Sequence, residues 1–168
     1  MADWIWLNPE QYPAYQTTRC TTFAEPKDAP FAMAEFRKEI ALCARPVRVT
    51  LTVSGDTKYW LWAEGRFLGM GPVCAGGDYG NTQPMPRYYA TRYELRPETE
   101  KIALFARVQL SPAVMTDYSC GHGGFYLEGR AEYADGTTEE FCTDESWQAR
   151  LNPQYISARE YDYTRAPD

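Results

Sequence analysis

Alternation of apolar and polar residues with a period of two dominates the chain. Val47, Val49, Leu51 and Val53 alternate with Arg48, Thr50 and Thr52, the pattern of a strand with one buried face. Ile102, Leu104, Ala106, Val108 and Leu110 repeat it, with Phe105, Arg107 and Gln109 on the opposite face. A third run sets Phe125, Leu127, Gly129, Ala131 and Tyr133 against Tyr126, Glu128, Arg130 and Glu132, breaks at Asp135-Gly136, and resumes from Thr137 to Cys142. An Asp-Gly break between two such runs predicts a hairpin. Shorter candidate strands are Lys58 to Ala63, Arg66 to Met70, Tyr88 to Leu95 and Ser146 to Leu151, with Ala63-Glu64-Gly65-Arg66 as a tight turn between the first two.

The segment Ala34 to Ala44 is mixed. Glu35, Lys38, Glu39, Ala41 and Leu42 favour helix intrinsically, yet Phe36, Ile40 and Leu42 fit a strand alternation with Lys38 as its misfit, and the segment is read as a strand. About eight short antiparallel strands, frequent turn signals and no long helical period predict an all-β sandwich or jelly roll. Two stretches stand outside the pattern. Trp4 to Pro30 reads as an arm crossing the sandwich, and Cys74 to Pro86, rich in Gly and Pro, as a loop of the length that is often functional. The expected organisation is one domain over 1–151, with an N-terminal arm over 1–33 and a linker over 152–168 leading toward a further domain.

Composition narrows the function. The chain has 168 residues and a formal net charge of -6, with no basic stripe to hold a phosphate backbone, so no nucleic-acid partner is expected. No stretch reaches the ~18 apolar residues of a membrane span, and Met1-Ala2-Asp3-Trp4 does not open a secretory signal, so neither a membrane partner nor export by that route is expected. The five cysteines are scattered, without a Cys-x-x-Cys pair. They read as free thiols of a cytoplasmic protein, with one or two disulfides as the alternative if the parent is exported by another route. Aromatic residues make up 15% of the chain, and their flat faces suit sheet surfaces and, less commonly, sugars.

Candidate chemistry is sparse. Many acidic pairs are available to a two-carboxylate mechanism, but Glu139-Glu140 and Asp144-Glu145 fall on polar strand faces or in turns, and no catalytic residue is assigned. His122, the single histidine, sits in Cys120-Gly121-His122-Gly123-Gly124. A turn before a strand accounts for it best, ahead of a ligand contact or a Cys120–His122 nucleophile pair. The glycines around 69–80 lack the helix and Lys-Ser/Thr of a phosphate loop. No cofactor is expected; calcium at Asp78, Asn81 and Asp117 is the weaker alternative. Trp60 and Trp62 share one face of a strand. Core or inter-sheet packing is the commoner role for such a pair, and would make Trp62→Ala cost about 3 kcal/mol or more. The alternative is a stacking platform for a sugar or a neighbouring domain.

The order of segments resembles a known family. Trp4-Ile5-Trp6, Phe36-Arg37-Lys38, the run SGDTKYWLWAEGRFLGMGP over 54–72, GGDYGNTQPMP over 76–86 with Tyr88-Tyr89, GGF over 123–125, ADGT over 134–137, TDESW over 143–147 and Tyr161-Asp162 together look like the N-terminal β-sandwich of bacterial α-L-rhamnosidases. The turn Glu64-Gly65 replaces the Asn-Gly usual there. The resemblance implies a jelly-roll, galactose-binding-like sandwich that precedes further β domains and a helical-barrel catalytic domain, none of whose acidic catalytic residues fall on this chain. It implies a non-catalytic accessory domain whose partners are the downstream domains of its parent glycoside hydrolase. The alternative is a carbohydrate-binding module for rhamnose-type sugars, with Trp60, Trp62, Asp78, Tyr79 and His122 as ligand-binding residues. A stand-alone enzyme is the weakest of the three readings.

Overall fold

The computed structural model describes residues 2–8, 32–72, 89–110 and 123–155. Nine strands run in chain order: β1 Ala32–Ala41, β2 Arg48–Asp56, β3 Lys58–Ala63, β4 Arg66–Gly71, β5 Thr91–Leu95, β6 Lys101–Leu110, β7 Gly124–Glu132, β8 Thr138–Cys142 and β9 Gln148–Leu151. They form two antiparallel sheets, one of five strands in the order β4-β3-β6-β1-β9 and one of four in the order β5-β2-β7-β8. The β-sandwich expected from the alternation is the observed fold, and the mixed segment is indeed a strand, β1.

Alternation decides which side chains meet between the sheets. Ile102, Leu104, Ala106, Val108 and Leu110 of β6 face Val49, Leu51 and Val53 of β2 and Phe125, Leu127 and Ala131 of β7 in one buried cluster. Each large apolar side chain fully buried there contributes about 1.5–3 kcal/mol over its exposed state. Phe36 of β1 stacks on Phe125 of β7, with ring centroids 5.3 Å apart, and Trp147 meets Phe125 edge-on at 5.5 Å. The Tyr59 hydroxyl lies 3.1 Å from that of Tyr93 and ties β3 to β5 across the layers.

Two positions depart from the simple pattern. Val47 precedes β2 and is 52% exposed; its amide donates to the Glu132 carbonyl, and the buried alternation starts only at Val49. Lys38 stands opposite Leu104 on the inward register of Phe36 and Ile40. It is tolerated because its stem is half-buried while its ammonium escapes at the sheet edge to donate to the Ser146 hydroxyl.

Local chemistry sets the connections. In the β7–β8 hairpin the Gly136 amide donates to the Tyr133 carbonyl, Gly136 takes φ 85°, and Asp135 Oδ1 accepts from the Thr137 amide at 2.9 Å. This is a type I turn closed by a left-handed residue. In the β3–β4 turn Glu64 itself takes φ 51°. This conformation is held because the Glu64 amide donates to the Ala103 carbonyl and its carboxylate accepts from the Ala103 amide. Residues 2–8 lie against the sandwich: Ile5 bridges Phe125, the Asp3 amide donates to the Thr143 carbonyl, Trp6 lies against Phe36, and Leu7 is buried in the core; the rest of the expected arm up to residue 31 lies outside the described residues.

Gly129 is required by close approach. A Cβ there would stand 2.1 Å from the Phe141 ring, which fills the space the glycine leaves. Gly129→Ala is therefore expected to overpack the β7–β8 pair and lower stability by about 1–3 kcal/mol, read as a fall in the urea midpoint at unchanged slope; an unaltered midpoint would show that Phe141 moves aside freely.

Candidate functional site

The outer face of the five-stranded sheet carries the candidate site. Tyr59, Leu61 and Ala63 of β3 are buried, so Trp60 and Trp62 point outward, each half-buried. The expectation of core or inter-sheet packing for this pair is corrected: the rings lie on the side of the sheet away from the core, because β3 spends its inward positions on Tyr59, Leu61 and Ala63. Asp78, Tyr79 and His122, the other sequence-predicted site residues, lie outside the described residues, as do Asn81, Asp117, Cys120 and the 76–86 loop.

Strand register builds two rows across all five strands. One runs Phe67, Trp62, Phe105, Arg37, Gln148; the other runs Met70, Trp60, Arg107, Glu35, Arg150. The β4–β3–β6 end is aromatic. Trp62 packs against Phe67 and Phe105, each with centroids 5.3 Å away, and Phe67 and Met70 remain 54% and 55% exposed. The β6–β1–β9 end is ionic, and Arg107 joins the halves, with its guanidinium carbon 5.9 Å from the Trp62 ring centre and 5.1 Å from that of Tyr155.

Glu35 anchors the ionic half. It is only 4% exposed, and its carboxylate accepts from Asn152 Nδ2 at 2.8 Å, Arg107 at 3.1 Å and Arg150 Nε at 2.7 Å. Burial pushes its pKa up, but the bonds from Asn152, Arg150 and Arg107 together outweigh burial, so the carboxyl titrates below its ordinary value. The Tyr155 hydroxyl accepts from Arg107 Nη1 at 2.9 Å. Residues 152–155, the first part of the expected linker, are thus fastened to the sheet.

Between the aromatic and ionic halves lies an open depression of about 880 Å³, bordered by Trp62, Phe105, Arg37, Arg107 and Gln148 with Ser146 at the rim. Such a mixture of flat apolar rings and convergent polar groups suits a ligand with one apolar face and many hydroxyls. Of the acidic pairs singled out in the sequence, Glu139 and Asp144 make local hydrogen bonds. Glu139 accepts from the Tyr133 hydroxyl and the Cys43 amide, which hold its carboxyl below the ordinary range, and Asp144 is likewise lowered by Ser146. Among the described residues no group of three or more His, Cys, Asp and Glu could hold a metal ion, and no helix is long and apolar enough to cross a membrane.

Sequence reasoning missed Arg37, Arg107 and Gln148 as site residues. The available signal was Phe105 and Arg107 together on the β6 face that alternation turns away from the core.

The fold defines the chain as an antiparallel β-sandwich domain. Solved structures that share it include an α-L-rhamnosidase from Aspergillus terreus (TM-score 0.65, 16% identity, covering 95% of this chain and 19% of that one), a GH78 family rhamnosidase from a Bacillus species (0.61, 22%, 93% and 14%) and a Pleurotus ostreatus lectin in complex with GalNAc (0.62, 20%, 90% and 35%). The likeness is one of fold, and it agrees with the resemblance to the rhamnosidase N-terminal sandwich drawn from the sequence. The chain spans between 14% and 35% of the length of these three proteins. No protein-family profile matches the sequence, and no curated protein does.

Two outcomes test this geometry. Trp62→Ala is expected to cost about 1–2 kcal/mol, the scale of its aromatic contacts, whereas Phe36→Ala in the core should cost about 3–5 kcal/mol; equal urea midpoints for the two variants would put Trp62 back in the core. Because the folded Glu35 titrates below its ordinary value of 4.5, its contribution is complete above that pH and fades as pH falls through the lowered folded value. The stability gap between the wild type and Glu35→Gln should accordingly narrow below pH 4.5 in parallel urea titrations; a gap independent of pH would contradict it.

Proposed function

We propose that this chain is a non-catalytic accessory domain of an α-L-rhamnosidase-like glycoside hydrolase, and that its five-stranded sheet presents a saccharide-facing surface beside the parent's catalytic domain. The observation that carries the first part is the relation of lengths. Rhamnosidase structures cover 93–95% of this chain while the chain amounts to 14–19% of them, the proportion of one domain within a much longer enzyme. The absence of an assignable acid pair in the sequence fits a division of labour in which the downstream domains hold the chemistry. Cytoplasmic location belongs to the same proposal, and the exposed Cys43 thiol fits a reducing compartment.

The depression favours a second element, carbohydrate binding. Trp62 and Phe105 offer flat faces to a sugar ring, and Arg37, Arg107 and Gln148 offer donors and an acceptor for hydroxyls. The likeness in fold to part of a lectin solved in complex with GalNAc supports this reading. An accessory domain of this kind would raise the local concentration of glycan near the catalytic site without adding chemistry.

The mass of the native gene product, probed in its source cell with an antibody against this domain, tests the accessory role. A species several times heavier than 19.2 kDa is expected. A product of 19.2 kDa that acts alone would overturn the parent-enzyme reading.

A further inference from the structure

We infer that the depression on the five-stranded sheet selects anionic saccharides, with the carboxylate of a uronate unit on the Arg37 guanidinium and the sugar ring against Phe105 and Trp62. The inference rests on the saccharide-facing reading above and names the class of ligand.

The inference stands on how charge is distributed over this face. Arg107 and Arg150 share the buried Glu35, and Lys101 pairs with Glu39 at 3.0 Å. Lys38 donates to Ser146, whose turn is held by Asp144. Arg37, like Lys38, has no carboxylate within ion-pairing distance among the described residues, and unlike Lys38 it stands on the outward register beside Phe105. Glu39 is the one carboxylate among the residues lining the depression, and Lys101 neutralises it, while outside the lining Glu64 accepts from the Ala103 amide and Asp144 from the Ser146 amide at 2.9 Å. An unneutralised guanidinium is thus left exposed on an aromatic face of a chain whose net charge is -6.

Arg37 is also oriented. Its Nε donates to Gln148 Oε1 at 2.5 Å, which removes rotamer freedom that a ligand would otherwise have to freeze. Its position in the row places it between Phe105 on β6 and Gln148 on β9, at the border of the depression. A planar fork matches a carboxylate bidentately, and such charge-assisted bonds are about twice as strong as bonds to a neutral hydroxyl. A neutral sugar would stack on the same rings and leave the cation uncompensated. A uronate satisfies both parts at once.

D-Glucuronate and D-glucose, which differ in having a carboxylate or a hydroxymethyl at C6, are the probes. Each is titrated by NMR at low ionic strength into the full chain and into Arg37→Gln and Arg37→Lys, with circular dichroism confirming the fold. Glucuronate is expected to bind at least about tenfold more tightly than glucose, with the advantage abolished in Arg37→Gln, reduced in Arg37→Lys and shrinking as salt rises. Glucose affinity should fall by less than glucuronate affinity in both variants. Equal affinities for the two sugars would overturn the anionic selectivity and leave the saccharide-facing reading standing. A preference that survives Arg37→Gln would also overturn it, by placing the carboxylate elsewhere. Binding of neither sugar, with L-rhamnose also silent, would bring down both readings.

Discussion

The register of β6 between β1 and β3 is the constraint on which the rest of the structure depends. All ten residues of β6 pair with the ten of β1, and six of them pair again with β3. Side chains alternate across a sheet, so a slip of one residue would turn Arg107 and Phe105 into the core and drive Ala106 and Val108 out to water. Five fully buried positions on one face of β6 oppose that slip. The same alternation that builds the core therefore also gathers Trp62, Phe105, Arg37 and Gln148 into one outward row. Fold and surface chemistry are two faces of one register.

The two halves of that outer face are stabilised differently. The aromatic half is held by ring contacts and tolerates exposure, as Phe67 and Met70 show. The ionic half is held by a buried carboxylate, and burying a charge is unfavourable unless it is paired and fully hydrogen-bonded. Glu35 meets that condition with donors from β6, from β9 and from Asn152 beyond β9. Removing any donor leaves a desolvated charge, so these pieces are expected to form together. Arg107 belongs to both halves, since it bonds Glu35 while lying over Trp62 and Tyr155, and it couples the aromatic platform to the ionic anchor.

Much of the fold was legible in the sequence because one strand carries its own alternation. β3 and β6 have the bounds that Lys58 to Ala63 and the run over 101–110 suggest, and the Asp135-Gly136 hairpin is where the turn chemistry places it. β1 was readable despite helix-favouring residues because Phe36 and Ile40 outweigh local propensity once a second sheet covers them. The site was less legible for a physical reason. Which residues of β4, β3, β6, β1 and β9 stand in one row depends on pairing between strands far apart in the chain, and no local pattern encodes that pairing. Thus Trp60 and Trp62 were visible as a pair, whereas their outward direction and their partners Arg107, Arg37 and Gln148 emerge only from the assembled sheet. Val47 shows the converse limit, since its place in an alternation says nothing about where the opposing layer ends.

Side chains on paired strands are held more precisely than side chains on loops, which suits the outer sheet face to the saccharide binding proposed for it. The most direct test is to map, by amide and indole NMR shifts, where an oligosaccharide touches the chain. Shifts concentrated at Trp62, Phe105, Arg37 and Gln148 are predicted, with the outer face of the four-stranded sheet silent. Shifts confined to the four-stranded sheet, or to positions away from the β3–β6–β1 rows, would contradict the claim that this face does the binding.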